Sequence, residues 1–98
     1  MKSIIQTDKD HCYICGKNKY ADYFGLDRHH VYFGTANRKK SEQYGLTVYL
    51  CHNECHLHGV HSDTELCRAL QAKVQRIAME HYGWTVEQFI EIFGRTFI

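Results

Sequence analysis

Leu26-Asp27-Arg28-His29-His30-Val31-Tyr32-Phe33 is the stretch around which the rest of the chain organises. It ends in β-branched and aromatic residues and lies between Gly25 and Gly34, which predicts a β-strand. Neighbouring residues on a strand point to opposite faces, so His29 and His30 cannot both ligate one ion unless the backbone bends. That division suits two different tasks. One imidazole can hold a metal while its neighbour, left free, acts as a general base near neutral pH.

Toward the N-terminus, His11-Cys12-Tyr13-Ile14-Cys15-Gly16-Lys17-Asn18-Lys19 reads as a metal-binding turn, with Gly16 supplying the backbone freedom the turn needs. Toward the C-terminus, Thr35 to Gly45 is polar and charged, predicting a loop or short helix. Leu46 to Leu50 then predicts a second strand that runs straight into Cys51, Cys55 and His56. The pairs Cys12/Cys15 and Cys51/Cys55 come from separated segments and suit a closed, four-thiolate structural zinc site. Five cysteines fit disulfide pairing poorly and fit four ligands plus one spare well. The spare is Cys67, whose place on a helix edge points to plain packing. The histidines instead resemble an open site, in which His56 and His61 arrive from elsewhere to complete the ligands. His11, His52, His58 and His81 read as surface or hydrogen-bonded residues.

Residues 62–98 turn helical. Ser62 to Glu65 looks like a capping box, followed by Leu66, Leu70, Val74, Ile77 and His81 at helical spacing, with Gly83 as the stop. A second box, Thr85 to Gln88, opens a last helix that ends near Gly94. Trp84 and Phe89 have the spacing of a hydrophobic staple. The whole of 1–98 reads as a single α+β domain, too short for two cores.

A formal net charge of +1 argues against broad electrostatic capture of nucleic acid. Lys17, Lys19, Arg28, Arg38, Lys39 and Lys40 all lie in the first half, which permits a basic face near the doublet; a scattered solvated surface is the alternative. No apolar run is long enough to cross a membrane. The charged N-terminus lacks the apolar stretch of a signal peptide, and the cysteine usage fits a reducing compartment, so a cytoplasmic protein is expected.

Asp27-Arg28-His29-His30-Val31, a loop, a strand and Cys51-x3-Cys55-His56 together resemble the HNH nuclease family, over about Cys12 to His61. The resemblance implies a ββα-metal (His-Me finger) core with a four-cysteine zinc site and C-terminal helices. The small size and the terminal helices are most similar to phage or prophage HNH proteins. By that likeness His29 and His56 are ligands of a catalytic divalent ion and His30 is the base that deprotonates water. His61 is a third ligand or a phosphate contact. The resemblance implies DNA as the partner, with Arg28, Arg38, Lys39 and Lys40 as candidates for phosphate contacts; a homodimer or a phage DNA-processing partner stays open. Magnesium prefers oxygen ligands, so a histidine site also admits manganese, nickel or zinc. One departure stands out. The family carries an asparagine just ahead of the second strand, whereas this chain has Gln43-Tyr44-Gly45-Leu46; Asn37 is the nearest substitute in the intervening loop, and Asn53 lies within the cysteine pair. Two other readings compete: a zinc-stabilised nucleic-acid-binding or protein-docking module without catalysis, and a redox or metal-storage protein using the cysteines.

Overall fold

β1 (Leu26–His30) and β2 (Thr47–Cys51) pair antiparallel, with His29 opposite Val48 and His30 opposite Thr47. In the computed structural model, which describes residues 1–98, they form a two-stranded sheet flanked by helices, a small α+β fold. β1 ends at His30 and not at Phe33, and Ser41 gives the reason. Its hydroxyl donates to the Tyr32 carbonyl (2.7 Å) and accepts from the Tyr32 N–H (3.1 Å), so that residue's backbone groups are satisfied away from the sheet.

The connection between the strands is the helix α1 (Thr35–Tyr44), closed by Gly45 in the left-handed region at φ 70°. A Cβ on Gly45 would lie 2.5 Å from the Lys2 carbonyl oxygen, so the N-terminal segment can cross here only over a glycine. Ile4 fastens that segment by donating to the Gly45 carbonyl, and Tyr49 does so by donating to Gln6 Oε1. The cysteine turn docks beside it, with Tyr13 N–H donating to the Tyr49 carbonyl at 2.8 Å.

After β2 the chain winds into a wide π-helical segment, His52–Val60, which no local pattern of residues announces. Then come α2 (Thr64–Tyr82) and α3 (Val86–Phe93). Asp63, one residue beyond the expected cap, accepts from Leu66 N–H, while the Ser62 hydroxyl donates back to the Leu57 carbonyl at 2.7 Å. The Thr85–Gln88 capping box forms as its sequence predicts. The buried face of α2 runs through Cys67, Leu70, Val74 and Ala78, and His81 is exposed. That face is turned from the expected one because Gln71 and Gln75 are also buried. Gln71 donates to the Val31 carbonyl, and Gln75 bonds both Thr96 and the Phe97 N–H. Tyr32 sits at the centre of the core, its hydroxyl donating to the Gln71 carbonyl and its ring packed by Phe89, Phe93 and Phe97. No helix is long and apolar enough to cross a membrane.

Candidate metal centres

The turn at Cys12 to Gly16 is closed by Cys12 N–H to the Lys17 carbonyl and Gly16 N–H to the Cys12 carbonyl, which presents both thiols toward the end of β2. There they meet Cys51 and Cys55. The four sulfur atoms lie within 4.8 Å of one another, and none is in a disulfide. Cys15 Sγ and Cys51 Sγ are 3.8 Å apart, and thiolates bound to one zinc at about 2.3 Å would be separated by about 3.8 Å. Burial pushes the Cys12 thiol up, but the backbone amides of Cys15, Cys51 and Ile14 outweigh it and bring it down to about 7. Burial and the neighbouring sulfurs raise Cys55. Burial likewise raises Cys51, and a cation bound among the sulfurs would offset that cost for both raised thiols. These four cysteines can hold a structural metal such as zinc.

A second set forms on the other side of Cys55. His29, His56 and His61 bring one ring nitrogen each within 4.8 Å of one another. The π-helical winding explains why residues five apart meet. His61 N–H donates to the His56 carbonyl, which brings the two rings edge to face at 4.5 Å and leaves their Nε2 atoms 3.0 Å apart. His29 reaches the same point from β1 and is only 4% exposed, and its Nε2 is buried with no hydrogen-bond partner. Burial first, then the charges of His56, His61 and His30, depress His29 to about 3. The same causes, burial and then His56, lower His61. Three ring nitrogens this close, on a chain where the His29 Nε2 is buried and unpartnered, could hold a metal ion.

Asp27 supports the set and was missed by the sequence reading. Its Oδ2 takes Nδ1 of His56 at 2.7 Å and Nδ1 of His52 at 2.6 Å, turning the His56 Nε2 toward His61. The signal was there: Asp27 and His29 are two apart on a strand and share a face. His52, read as a surface or hydrogen-bonded residue, is hydrogen-bonded, and its partner is the carboxylate that supports the site.

His30 takes the opposite side, as the strand alternation requires, yet both histidines of the doublet line one cleft of about 230 Å³. Its Nε2 lies 2.9 Å from Glu42 Oε2. Arg28 and Arg38 complete the cleft wall. Arg28 is engaged, donating to Glu42 and to the Met1 carbonyl, whereas Arg38 and Lys39 are exposed and have no carboxylate within 4 Å. A larger hollow of about 490 Å³ opens beside Lys2, Lys9 and Arg28, but no ligand set converges on it.

Two sequence expectations fail on geometry. Asn37 does not reach His30; its amide donates to the Phe93 carbonyl at 3.2 Å. Lys40 donates to the Ile92 carbonyl. Both residues therefore satisfy the last carbonyls of α3 and face away from the cleft. Asn53 is also spent elsewhere, bonded to Asp22. No protein-family profile, curated protein or solved structure gives a significant match to this chain.

Proposed function

We propose that this protein is a metal-dependent DNA endonuclease of the HNH type, hydrolysing phosphodiester bonds. One observation carries the reading. The nitrogens of His29, His56 and His61 converge at a cleft whose wall also holds His30, an imidazole that takes no part in the cluster. The antiparallel pair β1 and β2, followed by a helical segment after Cys51, supports the reading of a ββα-metal core.

The residues fit the metals this function needs. Cys12, Cys15, Cys51 and Cys55 would hold a structural zinc. His29, His56 and His61 would hold a divalent ion, since the buried and unpaired His29 Nε2 has no other use in the fold and Asp27 already orients His56. Three imidazoles favour manganese, nickel or zinc over magnesium by ligand type, while leaving positions open for phosphate and water. Such an ion, when bound, stabilises negative charge on a non-bridging phosphate oxygen and on the departing 3′ oxygen.

The chain's own residues do the rest. His30 accepts a proton from a water; the water oxygen bonds to phosphorus as the bond to the 3′ oxygen breaks, that oxygen leaving with the electron pair. Arg38, unpaired at the cleft wall, contacts the phosphate and holds the scissile group in register with His30. Arg28, tied to Glu42, shapes the wall of the cleft.

Nicking of supercoiled plasmid by zinc-loaded protein tests this, with magnesium, manganese, nickel or no added ion, beside His30→Ala. Cutting that needs an added ion and falls by about 10²–10⁴-fold in the folded mutant is the expected result. No cutting with any ion, or equal cutting by the mutant, would leave a zinc-stabilised module that binds nucleic acid or protein without catalysis. The internal use of Arg28 and Lys40, two of the four expected phosphate contacts, is the observation on that side.

A further inference from the structure

The missing asparagine leaves open what holds the general base. We infer that Glu42 is the positioning residue for His30: it fixes Nε2 and thereby presents Nδ1 as the basic nitrogen. The inference rests on the nuclease reading and adds to it a residue that the doublet and its spacing gave no reason to suspect.

Glu42 Oε2 lies 2.9 Å from His30 Nε2 and 2.5 Å from Arg28 Nη1, while Oε1 accepts from the N-terminal amine at 3.2 Å. The hydrogen bond from Arg28, then the one from His30, holds this carboxyl well below the usual carboxylate range. An ionised carboxylate can only accept, so the nitrogen facing it carries the hydrogen. Neutral His30 is therefore the Nε2–H tautomer, and its lone pair sits on Nδ1, which has no protein partner. After proton transfer the imidazolium keeps the Nε2–H bond to Glu42 and carries the new proton on Nδ1. A carboxylate beside the imidazole also stabilises that cation, as in other base–carboxylate pairs.

The fold places Glu42 with little freedom. Its neighbour Ser41 is fully buried and bonded twice to Tyr32, which pins this turn of α1 against the end of β1. The glycine crossing at Gly45 holds the N-terminal segment, and so Met1, over the same carboxylate. Asn37, by contrast, lies on the α3 side of the same helix. One helix thus supplies Ser41 to the core, Asn37 and Lys40 to α3, and Glu42 to the base.

The test compares wild type, Glu42→Gln and Glu42→Ala with untagged N-termini and equal zinc content. Single-turnover nicking, DNA affinity without turnover and the long-range ¹⁵N spectrum of the His30 ring are measured for each. Glu42→Ala should lower the single-turnover rate by about 10²-fold, with DNA affinity changed by less than about threefold. Glu42→Gln, whose amide oxygen still accepts from Nε2–H, should recover to within about tenfold of wild type. The spectrum should show the Nε2–H tautomer in wild type and in Glu42→Gln, and a mixture in Glu42→Ala. A Glu42→Ala protein that cuts at the wild-type rate, or a wild-type His30 with its proton on Nδ1, overturns the inference and leaves the nuclease reading intact. Wild-type protein that fails to cut with every ion overturns both.

Discussion

The thiol cluster and the imidazole cluster adjoin the same two-stranded sheet, and they differ in burial, in the number of ligands and in what surrounds them. Three of the four cysteines are buried among the apolar core residues. Of the three histidines only His29 is buried, while His56 is half-buried and His61 is exposed at the mouth of a cleft. Four sulfurs can complete a tetrahedral shell; three nitrogens leave it incomplete. The thiols have no second purpose in reach. The imidazoles have His30 beside them, arginines at the wall and Asp27 behind. On the proposed reading, one short chain keeps an under-coordinated histidine centre open while a metal on the four cysteines ties its segments together.

The comparison breaks most visibly at Cys51. A structural zinc contributes on the order of 10 kcal/mol of apparent binding free energy in small sites, against a total stability of about 5–15 kcal/mol for a domain. Cys51→Ser should therefore lose both its zinc and its cooperative thermal transition, whereas His56→Ala should keep both. Metal analysis beside a melting curve checks this. A Cys51→Ser protein that melts like wild type would mean that the core residues around Tyr32 carry the fold without the thiols.

Much of this layout was legible beforehand. Both strands, the two C-terminal helices, the second capping box and the four-cysteine set follow from short-range patterns: alternation, glycine stops and ligand spacing. Three features were not legible. The π-helical winding of residues 52–60 has no composition of its own, yet it brings His61 onto His56. The burial of Gln71 and Gln75 depends on carbonyl, amide and hydroxyl partners far away in sequence. Glu42 is an ordinary helix-surface residue until α1 folds back over β1 and sets it against His30. Each is a tertiary effect on residues whose local signal is neutral.

His29 sharpens the contrast through pH. Its folded-state pKa, about 3, lies below the unfolded value of about 6.5, so the unfolded chain binds a proton in a range where the native one does not. Stability is full above about 6.5 and falls as the pH drops toward 3. In protein carrying only its tightly held zinc, moving from pH 6.5 to 5 should cost about 2 kcal/mol through this group, one pKa unit being about 1.4 kcal/mol. His29→Leu should flatten that slope in denaturant titrations, with zinc content followed in parallel. An unchanged slope would show that the orphaned imidazole already finds a partner in solution.

The smallest effect separates two cations that look alike in sequence. Arg38 and Lys40 are two apart on α1, and both were expected to touch phosphate. Arg38 lines the cleft with no carboxylate partner, whereas Lys40 is bonded to the last turn of α3. Arg38→Ala should reduce the slope of log affinity against log salt by about 0.9 for duplex DNA, the loss of one phosphate contact, with little change in stability. Lys40→Met should leave that slope alone and lower stability by about 1 kcal/mol, the usual worth of one hydrogen bond. Salt-dependent binding and melting, measured on both variants, place each cation on its side of α1. If instead Lys40→Met changed the salt slope as much as Arg38→Ala, the DNA track would extend past the cleft and along α1 to α3, and the basic residues of the first half would act as one surface.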